Sequence, residues 1–234
     1  MHIRHRIHAP RAMALPGARR PATAPAAGGG FDSRIMRPVW VAESGMQRLI
    51  LGLVVFLGSH SVSVFAPAWR DRMAARFGHV WRAVYSLVSI VGLYLLISGF
   101  ARARAQPVVL YVPPASLHLL TVVLMLPVFP LLFAAYLPGR IRTALKHPML
   151  VAVKTWAFAH LLSNGMLADV LLFGGFLAWA VMVRISLKRR PPRPVPSAPP
   201  GRFNDVIAVL AGLLVYAAML ADGHARLFGV APLP

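Results

Sequence analysis

Cysteine is missing from this 234-residue chain. Its absence excludes disulfides, iron–sulfur clusters, thiolate metal ligands and a cysteine nucleophile, so any metal site must be built from His, Met or carboxylates. Acidic residues are scarce as well, with 6 Asp and Glu against 25 Lys and Arg. Charge of either sign makes up 13% of the chain, where a soluble domain carries roughly 25%. No phosphate-cradling glycine loop, HExxH run or Ser-His-Asp spacing occurs, so phosphoryl transfer and ordinary hydrolysis have no visible machinery.

Apolar residues are what the chain has instead, at 58%. They fall in blocks of roughly 16 to 22 separated by short basic stretches, a length that crosses about 30 Å of hydrocarbon as a helix. The blocks are apolar on every side, unlike the alternating strands of a membrane barrel, and a helix then remains the only way to satisfy the backbone in lipid. The expected fold is all-α: a polytopic transmembrane bundle of about six helices. Spans are expected near residues 49–66, 80–100, 115–137, 149–162, 166–183 and 206–220. Pro127 and Pro130 should kink the third. The fourth is short, and either spans as it stands or borrows the Lys146-His147-Pro148 turn.

Composition divides the chain further. Residues 1–45 are basic and rich in Pro, Ala and Gly. They read as a disordered tail, or as a misplaced start with Met36 and Met46 as later alternatives, and they lack the apolar segment of a signal peptide. Residues 46–190 form a five-helix membrane core, 191–204 a stiff Pro-rich basic linker, and 205–234 a sixth helix with a short tail. Cations cluster after the first, third and fifth spans, which places those loops in the cytoplasm and both termini outside. Because the positive charge lies in tails and loops, not on one folded face, the expected partner is the lipid bilayer and not nucleic acid.

Chemistry at membrane depth falls to a few residues. His60, in Gly58-Ser59-His60-Ser61, and His160, in Trp156-Ala157-Phe158-Ala159-His160, lie inside the first and fourth spans. A buried imidazole must be hydrogen-bonded or ligated. Each can simply bond a neighbouring helix, and two facing each other can form the axial pair of a b-type haem. Small neighbours such as Gly52, Gly58, Ala157 and Ala159 would admit a flat macrocycle, although the two histidines should sit about two turns apart in depth. His118 is a third ligand, a proton relay or an interfacial residue. His147 is a helix-start anchor or a headgroup contact, and Asp169 the one carboxylate within an apolar span. His79 and His224 flank spans as interface residues. His2, His5 and His8 belong to the tail.

The segments LILGLVVFLGSHS, WRAVYSLVSIVGL, PGRIRTALKHPMLVAVKTWAFAHLLSNG and LLFGGFLAWAVMVRISLKRR resemble the NnrU family of bacterial membrane proteins, over about residues 46–190 plus the terminal span. The resemblance implies an inner-membrane location and a link to nitrite and nitric oxide metabolism in denitrification. The same family includes the plant and cyanobacterial zeta-carotene isomerase, which uses haem b to isomerise a cis double bond. By motif, its histidine ligands correspond to His60 and His160. The isomerase's cysteine three residues before the second histidine is Ala157 here, so thiolate exchange is not available, and isomerase activity transfers less readily than haem binding. The functions to weigh are haem-linked nitrogen-oxide metabolism, isomerisation of a hydrophobic polyene, and a non-enzymatic accessory role in which the histidines only pack helices.

Overall fold

Proline and glycine set where the helices begin, bend and touch. In the computed structural model, which describes residues 39–190, 193 and 196–232, α1 (Val39–Phe65) and α2 (Pro67–Arg104) are separated by Ala66 alone. Pro67 stands at the first turn of α2, where a missing N–H costs nothing. Gly78 interrupts α2 at φ 48, ψ −108, a conformation that glycine adopts freely. It divides a cationic connector carrying Trp69, Arg70, Arg72 and Arg76 from the apolar remainder.

Beyond Gly78, α2 runs antiparallel to α1 at very close range. Gly52 abuts the backbone of Leu95 and Leu96, Gly92 that of Phe56, and Gly99 that of Arg48 and Leu49. Burial of apolar surface gives little drive between helices in lipid, and small residues that let two backbones meet supply the packing instead.

The third apolar block is broken as the prolines predict, into α3 (Ser116–Met125) and α4 (Val128–Ala134) with Pro127 between them. The short α5 (Arg140–Leu145) leads to α6 (Pro148–Ser163), and α7 (Leu167–Leu187) follows. α8 (Asn204–Ala218) runs through a π turn at Met219–Gly223 into α9 (His224–Phe228). No named strand occurs among the described residues, where Val109 and Met166 form an isolated bridge.

Five helices are long and apolar enough to cross a membrane: Ser44–Phe65, Pro67–Arg104, Ser116–Ala134, Leu167–Leu187 and Asn204–Phe228. The fourth expected span is α6, whose 16 residues reach about 24 Å at 1.5 Å per residue. It does not borrow the preceding turn, since Lys146 takes a positive φ of 61 and His147 is non-helical at φ −137, ψ 66. α6 is instead the inner helix, packed against α3, α4, α5 and α7, with Ala152, Ala157 and Ala159 fully buried. Apolar side chains cover the outside of the bundle, among them Val54, Ile90, Leu119 and Leu214. The chain is a multi-pass membrane protein. The expected tail falls outside the described residues up to 38, while 39–45, also read as tail, are helical. Of the linker, 191, 192, 194 and 195 lie outside as well.

Ties at the two ends fix the hairpins. At one end Arg193 pairs with Asp71 at 2.7 Å, Arg190 donates to the Ser63 carbonyl, and Asp205 accepts from the N–H groups of Arg140 at 2.7 Å and Ile141 at 3.1 Å. At the other, the Leu110 N–H donates to the Gly165 carbonyl at 2.8 Å, and the Tyr111 hydroxyl bonds the carbonyls of Leu161 and Asn164. The loop cations after α1, α4 and α7 therefore gather at the first end.

Candidate functional site

An imidazole can donate from one nitrogen and offer a lone pair from the other, and the backbone decides which. On α1 the Nδ1 of His60 lies 2.7 Å from the Phe56 carbonyl, one turn back. On α6 the Nδ1 of His160 lies 2.8 Å from the Trp156 carbonyl, again four residues back. A carbonyl only accepts, so both rings carry their proton on Nδ1. Each leaves the Nε2 lone pair without a protein partner among the described residues. Metal-bound histidines take this tautomer when a backbone carbonyl holds the other ring nitrogen.

Aromatic rings join the two histidines. His60 packs on Phe56 at 4.4 Å, Phe56 on Phe176 at 5.9 Å, Phe176 on Trp156 at 5.4 Å, and Trp156 on His160 at 5.5 Å between ring centroids. Both lean on α7, His60 against Trp179 and His160 against Phe173. Those two α7 positions are six residues apart, about 9 Å of helical rise, in keeping with the expected difference in depth.

The donor chemistry of each ring fits a haem iron. Their spacing does not fit one iron as the helices now pack. Two imidazoles on one metal place their nitrogens about 4 Å apart, at about 2 Å per bond, and here the Phe56, Phe176 and Trp156 rings stand between them.

The histidine beside His160 is His224 on α9, with centroids 6.5 Å apart and planes 27° from parallel. Its Nδ1 lies 2.6 Å from the Val230 carbonyl, so it too leaves Nε2 without a partner among the described residues. Read from sequence, His224 only flanks a span. The π turn before it adds a residue to the helix repeat and so alters the face on which α9 places it, a feature that no residue pattern in Met219–Gly223 announces.

The other expected site residues scatter. His118 is exposed one turn into α3, with no side-chain partner among the described residues. His147 sits at the start of α6, its pKa lowered by partial burial and by the nearby Arg184, Arg190 and Lys146. Asp169 is 1% exposed in the first turn of α7. One of its oxygens accepts from the Met166 N–H at 3.3 Å and the other has no hydrogen-bond partner among the described residues. Near its end of the bundle, burial and Asp169 together raise the Tyr111 hydroxyl pKa.

No curated protein and no solved structure matches the chain. The family model described as NnrU protein matches residues 48–232, from within α1 through α9. With that match covering most of its length, the chain belongs to the NnrU family.

Proposed function

We propose that this protein binds haem b through His160 and His60 in the bacterial inner membrane and serves nitrite and nitric oxide metabolism. One observation carries the haem reading: both half-buried imidazoles are held as Nδ1–H tautomers by their own helices, with Nε2 free, among the described residues, in aromatic surroundings. The nitrogen-oxide part of the reading rests on what the resemblance to the NnrU family implies, and membership of that family supports it. A bound haem supplies the electronic chemistry, and the chain supplies ligands, an apolar lining and access for a gas or a hydrophobic small molecule. His60 and His160 are the residues that would hold the haem, and sharing one iron would need the Phe56, Phe176 and Trp156 rings displaced. Isomerisation of a polyene has less support, because Ala157, fully buried beside the site, offers no thiol to exchange.

A second reading, an accessory protein whose histidines only pack helices, draws on the aromatic rings that fill the space between His60 and His160. A reduced-minus-oxidised absorption spectrum of the detergent-purified protein, expressed with haem supplied, separates the two. Binding predicts a six-coordinate b-type spectrum, with the Soret band lost or converted to a five-coordinate form in His60→Ala and in His160→Ala. A chain that takes up no haem, or variants that keep the wild-type spectrum, would sink the haem reading.

A further inference from the structure

Gly78 turns the chain where α1 and α2 diverge, and the space it opens is a cleft of about 450 Å³. That is within the roughly 300 to 1,000 Å³ of sites for small organic molecules. Its walls differ from the apolar exterior of the bundle. Arg70 and Arg82 enter from the two parts of α2, Ser59 and Ser63 from α1, and Trp81 and Tyr85 supply flat apolar surface. The inner wall adjoins the candidate site, since Tyr85 packs on His60 with ring centroids 5.5 Å apart.

The electrostatics favour an anion. Asp71, next to Arg70 in the chain, is shared between Arg70 at 3.1 Å and Arg193 at 2.7 Å. Arg82 bonds the Nδ1 of His79 at 2.7 Å, an imidazole and not a carboxylate. Arg190 donates to the carbonyl of Ser63 in the cleft wall, and its Nε is buried with no partner among the described residues. Four guanidinium groups thus meet one carboxylate. Trp69 and Trp81 pack edge to face at 5.4 Å at this level, the pairing of aromatic and cation that marks a membrane–water interface.

We infer that the cleft between α1 and α2 binds an anionic amphiphile, with a carboxylate or phosphate held by Arg70 and Arg82 and an apolar body lying on Trp81 and Tyr85 toward His60. Guanidinium groups bind such oxyanions through paired N–H donors, most strongly where water is partly excluded. Two sources share this chemistry: the phosphate headgroup of an acidic bilayer lipid, and the carboxylates at the edge of a haem ligated by His60. The first needs nothing from the haem reading, and the second rests on it.

The test measures retained lipid by native mass spectrometry, on protein exchanged in detergent with phosphatidylglycerol or phosphatidylcholine. Wild type should retain phosphatidylglycerol preferentially, R70Q/R82Q should lose that preference by about tenfold, and R70K/R82K should keep most of it. Where the double glutamine variant fails to elute as folded protein, R82Q alone serves, because among the described residues Arg82 hydrogen-bonds only His79. Release of bound phosphatidylglycerol on adding haem would assign the cleft to the haem carboxylates, and its retention would assign the cleft to the lipid; either upholds the anion site. Equal retention of the two lipids by wild type, or unchanged retention by the folded glutamine variant, would overturn it. A chain that binds no haem but prefers the acidic lipid would leave this site standing and remove only the haem reading.

Discussion

Asp169 shows what one residue's surroundings ask of its chemistry. Its side chain is buried at the first turn of α7, one oxygen capping the Met166 N–H and the other bare. A buried polar atom without a partner costs about 1 to 3 kcal/mol, and more if it is charged. Asp169→Asn keeps the shape and the capping oxygen while abolishing the anion. Its thermal midpoint in detergent should therefore match or exceed that of wild type. Asp169→Ala also loses the cap, which costs about 0.5 to 2 kcal/mol, and should melt lower. Equal losses in both variants would mean that the carboxylate charge itself is engaged in the fold. Loss of function in a stable Asp169→Asn would instead point to a proton held there for use.

At the scale of elements, the α1–α2 hairpin depends on glycines whose missing side chains are its contact surface. A Cβ at Gly52 or at Gly99 would fall on backbone atoms of the facing helix, and backbone cannot swing away as a side chain end can. Overpacking of this kind costs about 1 to 3 kcal/mol. Gly52→Ala and Gly99→Ala should each lower the denaturant midpoint in mixed micelles, while Gly58→Ala, where a Cβ meets open space, should hold it or raise it slightly. A uniform response across the three would show that helix propensity, not close approach, sets the hairpin's stability. The helices themselves were legible because apolar length and proline position act locally: the Pro127 break, the Pro148 start and the extent of α7 all follow from neighbours in the chain. His60 and His160 were legible for a similar reason, since an ionisable ring inside an apolar run stands out. The ladder of Phe56, Phe176 and Trp156 was not legible, because aromatic residues in an apolar helix look alike until tertiary packing selects which of them meet. His224 was hidden by the π turn, and the Arg70–Arg82 cleft by the backbone reversal at Gly78.

For the whole molecule, the absence noted first becomes an instrument. A chain with no cysteine is its own background for placing single cysteines. Arg70, Arg82, Arg140, Arg142, Lys146, Arg189, Arg190 and Arg193 gather at the end where α1 meets α2 and where the linker is tied down, and Arg102 and Arg104 lie toward the other. Lys and Arg resist translocation, so the cation-rich end is predicted to face the cytoplasm. Val112, 84% exposed in the segment between α2 and α3, and Ala144, exposed on α5, then lie on opposite sides of the membrane. A membrane-impermeant maleimide added to intact cells should label Val112→Cys and spare Ala144→Cys, and both should react once the membrane is opened. The reverse pattern would invert the protein, and the Arg70–Arg82 cleft would then face the exterior leaflet. Labelling of both in intact cells would mean that α3 and α4, joined through the break at Pro127, do not cross the bilayer as one span.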